Sequence, residues 1–153
     1  MTQNRSRSRS AARLAAVQAL YQHEMEGTPL PRLIKEFHDH RLGATIEDAK
    51  YVDAERSFFD DVVAGVGARR AEIDQHISAK LAKGWALDRL DRPMRALLRA
   101  GAYELLARPD VPVGSVISEY VDVAHAFFDK KESAFVNGLL DSIAKDVRAP
   151  GGD

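Results

Sequence analysis

Cysteine is absent from the 153 residues. That excludes structural disulfides, thiolate metal sites and cysteine nucleophiles, and it fits the cytosol without requiring it. No apolar run approaches the roughly 18 to 20 residues that a membrane span needs, and the arginine-rich start lacks the apolar core of a secretory signal. That start shares with transit peptides its arginine, its serine and its want of acids. It merges, however, directly into a patterned helix whose removal would damage the fold. Strand-like alternation is nearly absent as well, so the fold class is all-α.

Catalytic constellations are also missing. The sequence has no phosphate-cradling glycine loop, no His-Glu-x-x-His zinc site and no glycine-flanked nucleophilic serine. His38-Asp39-His40 is the nearest approach to a metal cluster, but two histidines two apart diverge by ~200° on a helix, and a solvated helix end accounts for them. His23, His76 and His125 stand alone. Asp60 and Asp61 point ~100° apart, which makes cooperative acid/base or Mg²⁺ chemistry improbable. Arg69-Arg70 reads as a solvated face. The expectation is a protein that is not an enzyme and has no cofactor and no metal.

Negative charge is lacking at one end. The first 23 positions hold Arg5, Arg7, Arg9 and Arg13 and not one acid; these are four of 22 basic residues, which leaves 18 against 23 acids in the remainder. The body should repel polyanions while the N-terminal arm grips phosphate. Arg9 and Arg13 lie ~40° apart on one helix flank, a placement suited to consecutive phosphates. Single-stranded RNA further needs platforms for its bases, and Tyr21 and Phe127 are candidates, although both also suit the core. Lys130 and Lys131 would add positive charge, or are simply a solvated helix end. Arg/Ser alternation over 5–10 also fits a disordered, solubilising tail.

Helical periodicity fills the rest. A first helix capped near Ser8 or Ser10 buries Leu14, Val17, Leu20, Tyr21 and Met25 and stops at Gly27. A second starts at Thr28-Pro29, carries Leu30, Leu33, Ile34 and Phe37, and fades into an acidic stretch over 43–48. The third and longest runs through Phe59, Val62, Val63, Val66, Ile73, Ile77 and Leu81, and Gly65 and Gly67 inside it predict a close helix crossing. Gly84 ends it. Asp91 as cap and Pro93 in the first turn open a fourth helix with Met94, Leu97, Leu98, Leu105 and Leu106, which stops at Pro109. The fifth has an apolar stripe from Val113 to Phe128, and the sixth carries Phe135, Val136, Leu139, Leu140, Ile143 and Val147. Asn137-Gly138, usually a hairpin signal, lies within helical periodicity and reads as helix. The chain is expected to form six to seven helices in two packed three-helix bundles, about 8–82 and 88–148, with an arm over 1–9 and a tail over 149–153.

Four segments in register resemble one family. They are Ala11 to Tyr21 (Ala-Ala-Arg-Leu-Ala-Ala-Val-Gln-Ala-Leu-Tyr), Leu90-Asp91-Arg92 with Arg95 to Leu106, Asp110-Val111-Pro112, and Phe135 to Asp141 (Phe-Val-Asn-Gly-Leu-Leu-Asp). Together they look like the NusB family of transcription antitermination factors. The resemblance implies a fold of two three-helix bundles and binding of single-stranded boxA RNA in ribosomal RNA leader transcripts, together with ribosomal protein NusE, and with other Nus factors and RNA polymerase in a larger complex. It puts the RNA side on Arg5, Arg7, Arg9, Arg13, Gln18 and Tyr21, and on the loop over 127–133 with Phe127, Lys130 and Lys131. The chain departs from the family in that loop, where Phe128-Asp129-Lys130-Lys131-Glu132 replaces a glycine-containing, acidic one. Arg99 and Glu104 are its candidates for the protein partner. A related domain in ribosomal RNA cytosine methyltransferases would need a catalytic cysteine and a cofactor-binding sheet, and the sequence shows neither. The rival reading is a helical protein-binding adaptor, and the pattern also admits a homodimer through an apolar helix flank.

Overall fold

Seven α-helices and one short 3-10 turn make up the computed structural model, which describes residues 2–40, 42 and 49–148, with side chains over 7–40, 42 and 55–148. The side chain of Arg5, the acidic stretch over 43–48 and the tail over 149–153 lie outside the described residues. Two compact units result, Met1–Ala68 and Arg69–Asp153. The division falls well before the expected seam at 82–92.

The first unit contains α1 (Thr2–Glu26), α2 (Leu30–His40) and α3 (Ala49–Ala68), each packed on the other two. No proline or glycine interrupts the first 26 residues, so α1 runs through the arginine arm, and Ser8 is a buried helical residue rather than a cap. Its buried side is built on Ala12, Ala15, Ala16, Val17, Ala19 and Leu20, whereas Leu14 and Tyr21 are half-buried and Met25 is exposed. The alanines carry little hydrophobic weight in a periodicity reading, yet they let α1 approach α3 closely. Gly27 closes the helix with φ of 72°, its N–H donating to the His23 carbonyl at 2.8 Å. Phe37 and Phe59 stack at 5.3 Å in the core, and His38 Nε2 meets Asp60 Oδ1 at 2.6 Å between α2 and α3.

The expected long third helix is two helices. Arg69, with φ −114° and ψ 23°, interrupts it before α4 (Arg70–Ala79), although Val66, Ile73 and Ile77 remain buried in continuous period. Gly65 and Gly67 weaken the turn just before the break. The close approach expected at Gly67 comes from the Leu30 side chain, whose Cδ1 lies 2.6 Å from where a Cβ would stand.

In the second unit α4 is followed by the 3-10 turn Leu87–Arg89, α5 (Arg92–Ala107), α6 (Val113–Phe127) and α7 (Lys130–Val147). Asp91 precedes α5 without a side-chain cap; Arg95 secures that turn instead, donating to the carbonyls of Asp88 and Leu90 at 2.8 and 2.9 Å. Every residue from Ala96 to Leu105 is buried, because α4, α6 and α7 all pack on α5. At Gly101 a Cβ would stand 3.0 Å from Leu140 and 3.4 Å from Tyr120, so glycine lets three helices meet. Asn137 and Gly138 are helical.

Candidate nucleic-acid interface

At 100° per residue, Arg7, Leu14, Gln18, Tyr21 and Met25 share one side of α1. Arg7 is exposed there, Leu14, Gln18 and Tyr21 are half-buried, and Met25 is 48% exposed. The result is an outward strip with a cation at one end and an aromatic ring and an amide further along, groups able to take a phosphate, a base face and a base edge.

The expected arginine pair lies elsewhere. Arg9 and Arg13 are together, but on the side of α1 that faces α3, with guanidinium carbons 5.0 and 4.9 Å from the ring centroid of Phe58. Arg9 is half-buried, while Arg13 is only 4% exposed and has almost no surface left for a phosphate. A helical flank bordering an apolar stripe can turn inward as readily as outward, and here an aromatic ring receives it.

The second unit carries its own aromatic and basic corner. Phe127 ends α6 with 38% exposure, its ring 6.3 Å from that of Phe128, and Asp129 leads into Lys130 and Lys131, both exposed at the start of α7. Two lysines at the positive end of a helix dipole are unfavourable by themselves, a cost that an anionic ligand would relieve. Phe135 follows Lys131 by four residues and is 37% exposed, although the sequence pattern placed it in the core.

The candidates for a protein contact do not reach the surface. Arg99 donates from Nε and Nη2 to the two carboxylate oxygens of Asp74, at 2.8 and 3.2 Å, tying α5 to α4. Glu104 is fully buried and accepts the Tyr120 hydroxyl at 2.5 Å, tying α5 to α6. Both assignments presumed a solvent face on α5, a helix that is enclosed along this stretch. The expected solvated helix end holds for the exposed His40 and for Asp39, which pairs with Lys35 at 2.7 Å, but not for His38, which turns inward to Asp60 of α3. Among the described residues no three His, Cys, Asp or Glu side chains are grouped to hold a metal ion.

Periodicity gave no sign of Phe58 or Arg148. The Arg148 guanidinium donates to the carbonyls of Glu104, Leu105, Arg108 and Val111 at 2.8 to 3.2 Å, closing the end of α5. The sequence placed it at the last position of the second bundle and pointed to no role for it. None of the described helices is long and apolar enough to cross a membrane.

Comparison with known proteins supplies the context for these surfaces. The profile of the NusB family matches residues 10–145. The transcription antitermination protein NusB of Sphingopyxis alaskensis is 69% identical over 144 residues, covering 94% of this chain and 97% of its own. A solved T. maritima NusB superposes with a TM-score of 0.77 at 32% identity, over 94% of this chain and 95% of that one. A crystal structure of antitermination factors NusB and NusE in complex with dsRNA matches with a TM-score of 0.76 at 28% identity, over 92% of this chain and 98% of that one. On the profile and on the identity to a curated relative over nearly the whole chain, the protein belongs to the NusB family.

Proposed function

We propose that the chain is a non-enzymatic transcription antitermination factor: with NusE it binds boxA-type RNA of ribosomal RNA leader transcripts and joins other Nus factors and RNA polymerase in a termination-resistant complex. The carrying observation is the outward strip of α1, where Arg7, Gln18 and Tyr21 are displayed together in a family whose NusB has been solved with NusE and RNA. The Phe127, Lys130 and Lys131 corner offers the same combination of ring and cation. The mechanism is affinity alone. With Arg13 withdrawn into the fold, the arm offers few cations to phosphate, too few for tight binding by themselves. A partner that adds its own surface to the same RNA would raise the affinity through effective concentration.

The test is a titration of a boxA-type RNA and a scrambled RNA, with and without NusE, against the native chain and Arg7→Ala/Tyr21→Ala. The expected result is preference for boxA-type RNA, stronger with NusE and weakened at least tenfold in the double variant. Equal binding of both RNAs by the native chain would leave only a protein-binding adaptor.

A further inference from the structure

Asn137 is followed by glycine, the neighbour that most favours loss of ammonia from an asparagine side chain. The chemistry is internal to the chain. The Gly138 backbone nitrogen, giving up its proton, attacks Asn137 Cγ; a C–N bond forms and the side-chain amide nitrogen leaves as ammonia. Water then opens the resulting succinimide to aspartate or isoaspartate. Glycine helps because no side chain shields its nitrogen and its backbone turns freely. Asn4, the other asparagine of the sequence, precedes Arg5 and has neither advantage.

Both residues of the pair lie inside α7 and both are exposed. Water reaches them, so burial gives no protection. What the helix withholds is geometry. A ψ of about −42° keeps Asn137 Cγ and the Gly138 nitrogen out of the ring-closing arrangement, and the Gly138 N–H is directed to the Ala134 carbonyl in the helical ladder. The opposite side of α7 is anchored in the core through Val136, Leu140, Ile143 and Ala144. The turn around Asn137 is therefore released only when that side lets go.

We propose that Asn137 is a latent deamidation site gated by α7: closed in the native helix, it reacts through the Gly138 nitrogen, and then with water, when the helix opens past it. Either product places a carboxylate on the side of α7 that carries Lys130, seven residues earlier. Isoaspartate also adds a methylene to the main chain and so interrupts the ladder. Opening of the last helix is thus written into the covalent structure, and the converted helix packs less firmly than before.

The experiment ages the full chain in mildly alkaline buffer and follows Asn-to-Asp conversion by mass spectrometry of the peptide holding Asn137, with Asn4 as internal reference and isoaspartate separated by chromatography. In urea above the unfolding midpoint, Asn137 should convert well before Asn4. In native protein its conversion should be slower by about tenfold or more, because helix closing outpaces the chemistry and the rate follows the open fraction. Ile143→Ala removes a buried anchor of α7 and should raise the rate towards the unfolded value; should that variant not fold, native protein in urea below the midpoint takes its place. Gly138→Ala should convert slowly in both states, and no atom lies within 4 Å of the added methyl group to disturb the fold. Converted protein should unfold at a lower urea concentration than its parent. Native conversion as fast as in urea would overturn the proposal, as would a native rate indifferent to loosening of α7, or unfolded Gly138→Ala that reacts as fast as its parent.

Discussion

Glu104 is a fully buried carboxylate with the Tyr120 hydroxyl held against it. Removing that hydroxyl deprives a desolvated acceptor of a donor, so Tyr120→Phe should destabilise the protein by about 1 to 3 kcal/mol in urea unfolding, despite preserving the ring. Arg148 presents the converse case, one donor group serving four carbonyls at the end of a helix to which it does not belong. Arg148→Ala should cost roughly 1 to 3 kcal/mol, and Arg148→Lys should restore only part, because an ammonium cannot span the same fork. None of these roles was legible in the sequence. An arginine or glutamate within a helical pattern reads as a solvent position, and only the packing of α4, α6 and α7 around α5 reveals that this helix has little solvent face along its middle.

Two glycines distinguish tight packing from loose packing between elements. At Gly67 the conflicting atom is the tip of the Leu30 side chain, which can swing aside, so Gly67→Ala should be close to neutral, the helix-propensity gain of about 1 kcal/mol offsetting the displacement. At Gly101 the neighbours are Leu140 and the Tyr120 ring inside a closed core, so Gly101→Ala should lower stability by about 1 to 3 kcal/mol in the same measurement. The periodicity of three and four residues revealed nearly every helix, including α7 across Asn137-Gly138, because burial of one face is what that spacing records. It missed the break at Arg69, since Val66, Ile73 and Ile77 stay in phase across it. At the break, hydrogen bonding from Arg69 holds the Glu72 carboxyl below its ordinary value of 4.5. Such a group stabilises the fold above its ordinary value, and the contribution disappears as pH falls through the depressed one. Urea midpoints of native protein and Glu72→Gln should therefore differ slightly near neutrality and converge in acid, the difference being small because both side chains are solvated.

The placement of charge acts at the scale of the whole chain. With four arginines set at the N-terminus, the remainder carries 18 basic residues against 23 acidic ones, a body that would leave a polyanion only a few contacts. On the proposed function, three phosphate contacts or fewer would give a log affinity against log salt slope no steeper than about −2, rather than the nearly −3 expected were Arg13 a fourth contact. Composition located this cationic end, and the sequence segments that resemble the NusB family implied RNA as the ligand proposed for it. The direction in which each arginine points was beyond both, because Arg7 differs from Arg9 and Arg13 only in helical phase, and the phase is set by alanines packed on α3.

The Arg148 fork also bears on synthesis. Its carbonyl partners lie 37 to 44 residues earlier in the chain. A nascent chain emerging from its N-terminus can complete the first unit once Ala68 has cleared the ribosome, whereas the end of α5 gains its Arg148 donors only when the last helix has been made. The helix proposed to meet RNA can thus be in place while the second unit is still being made.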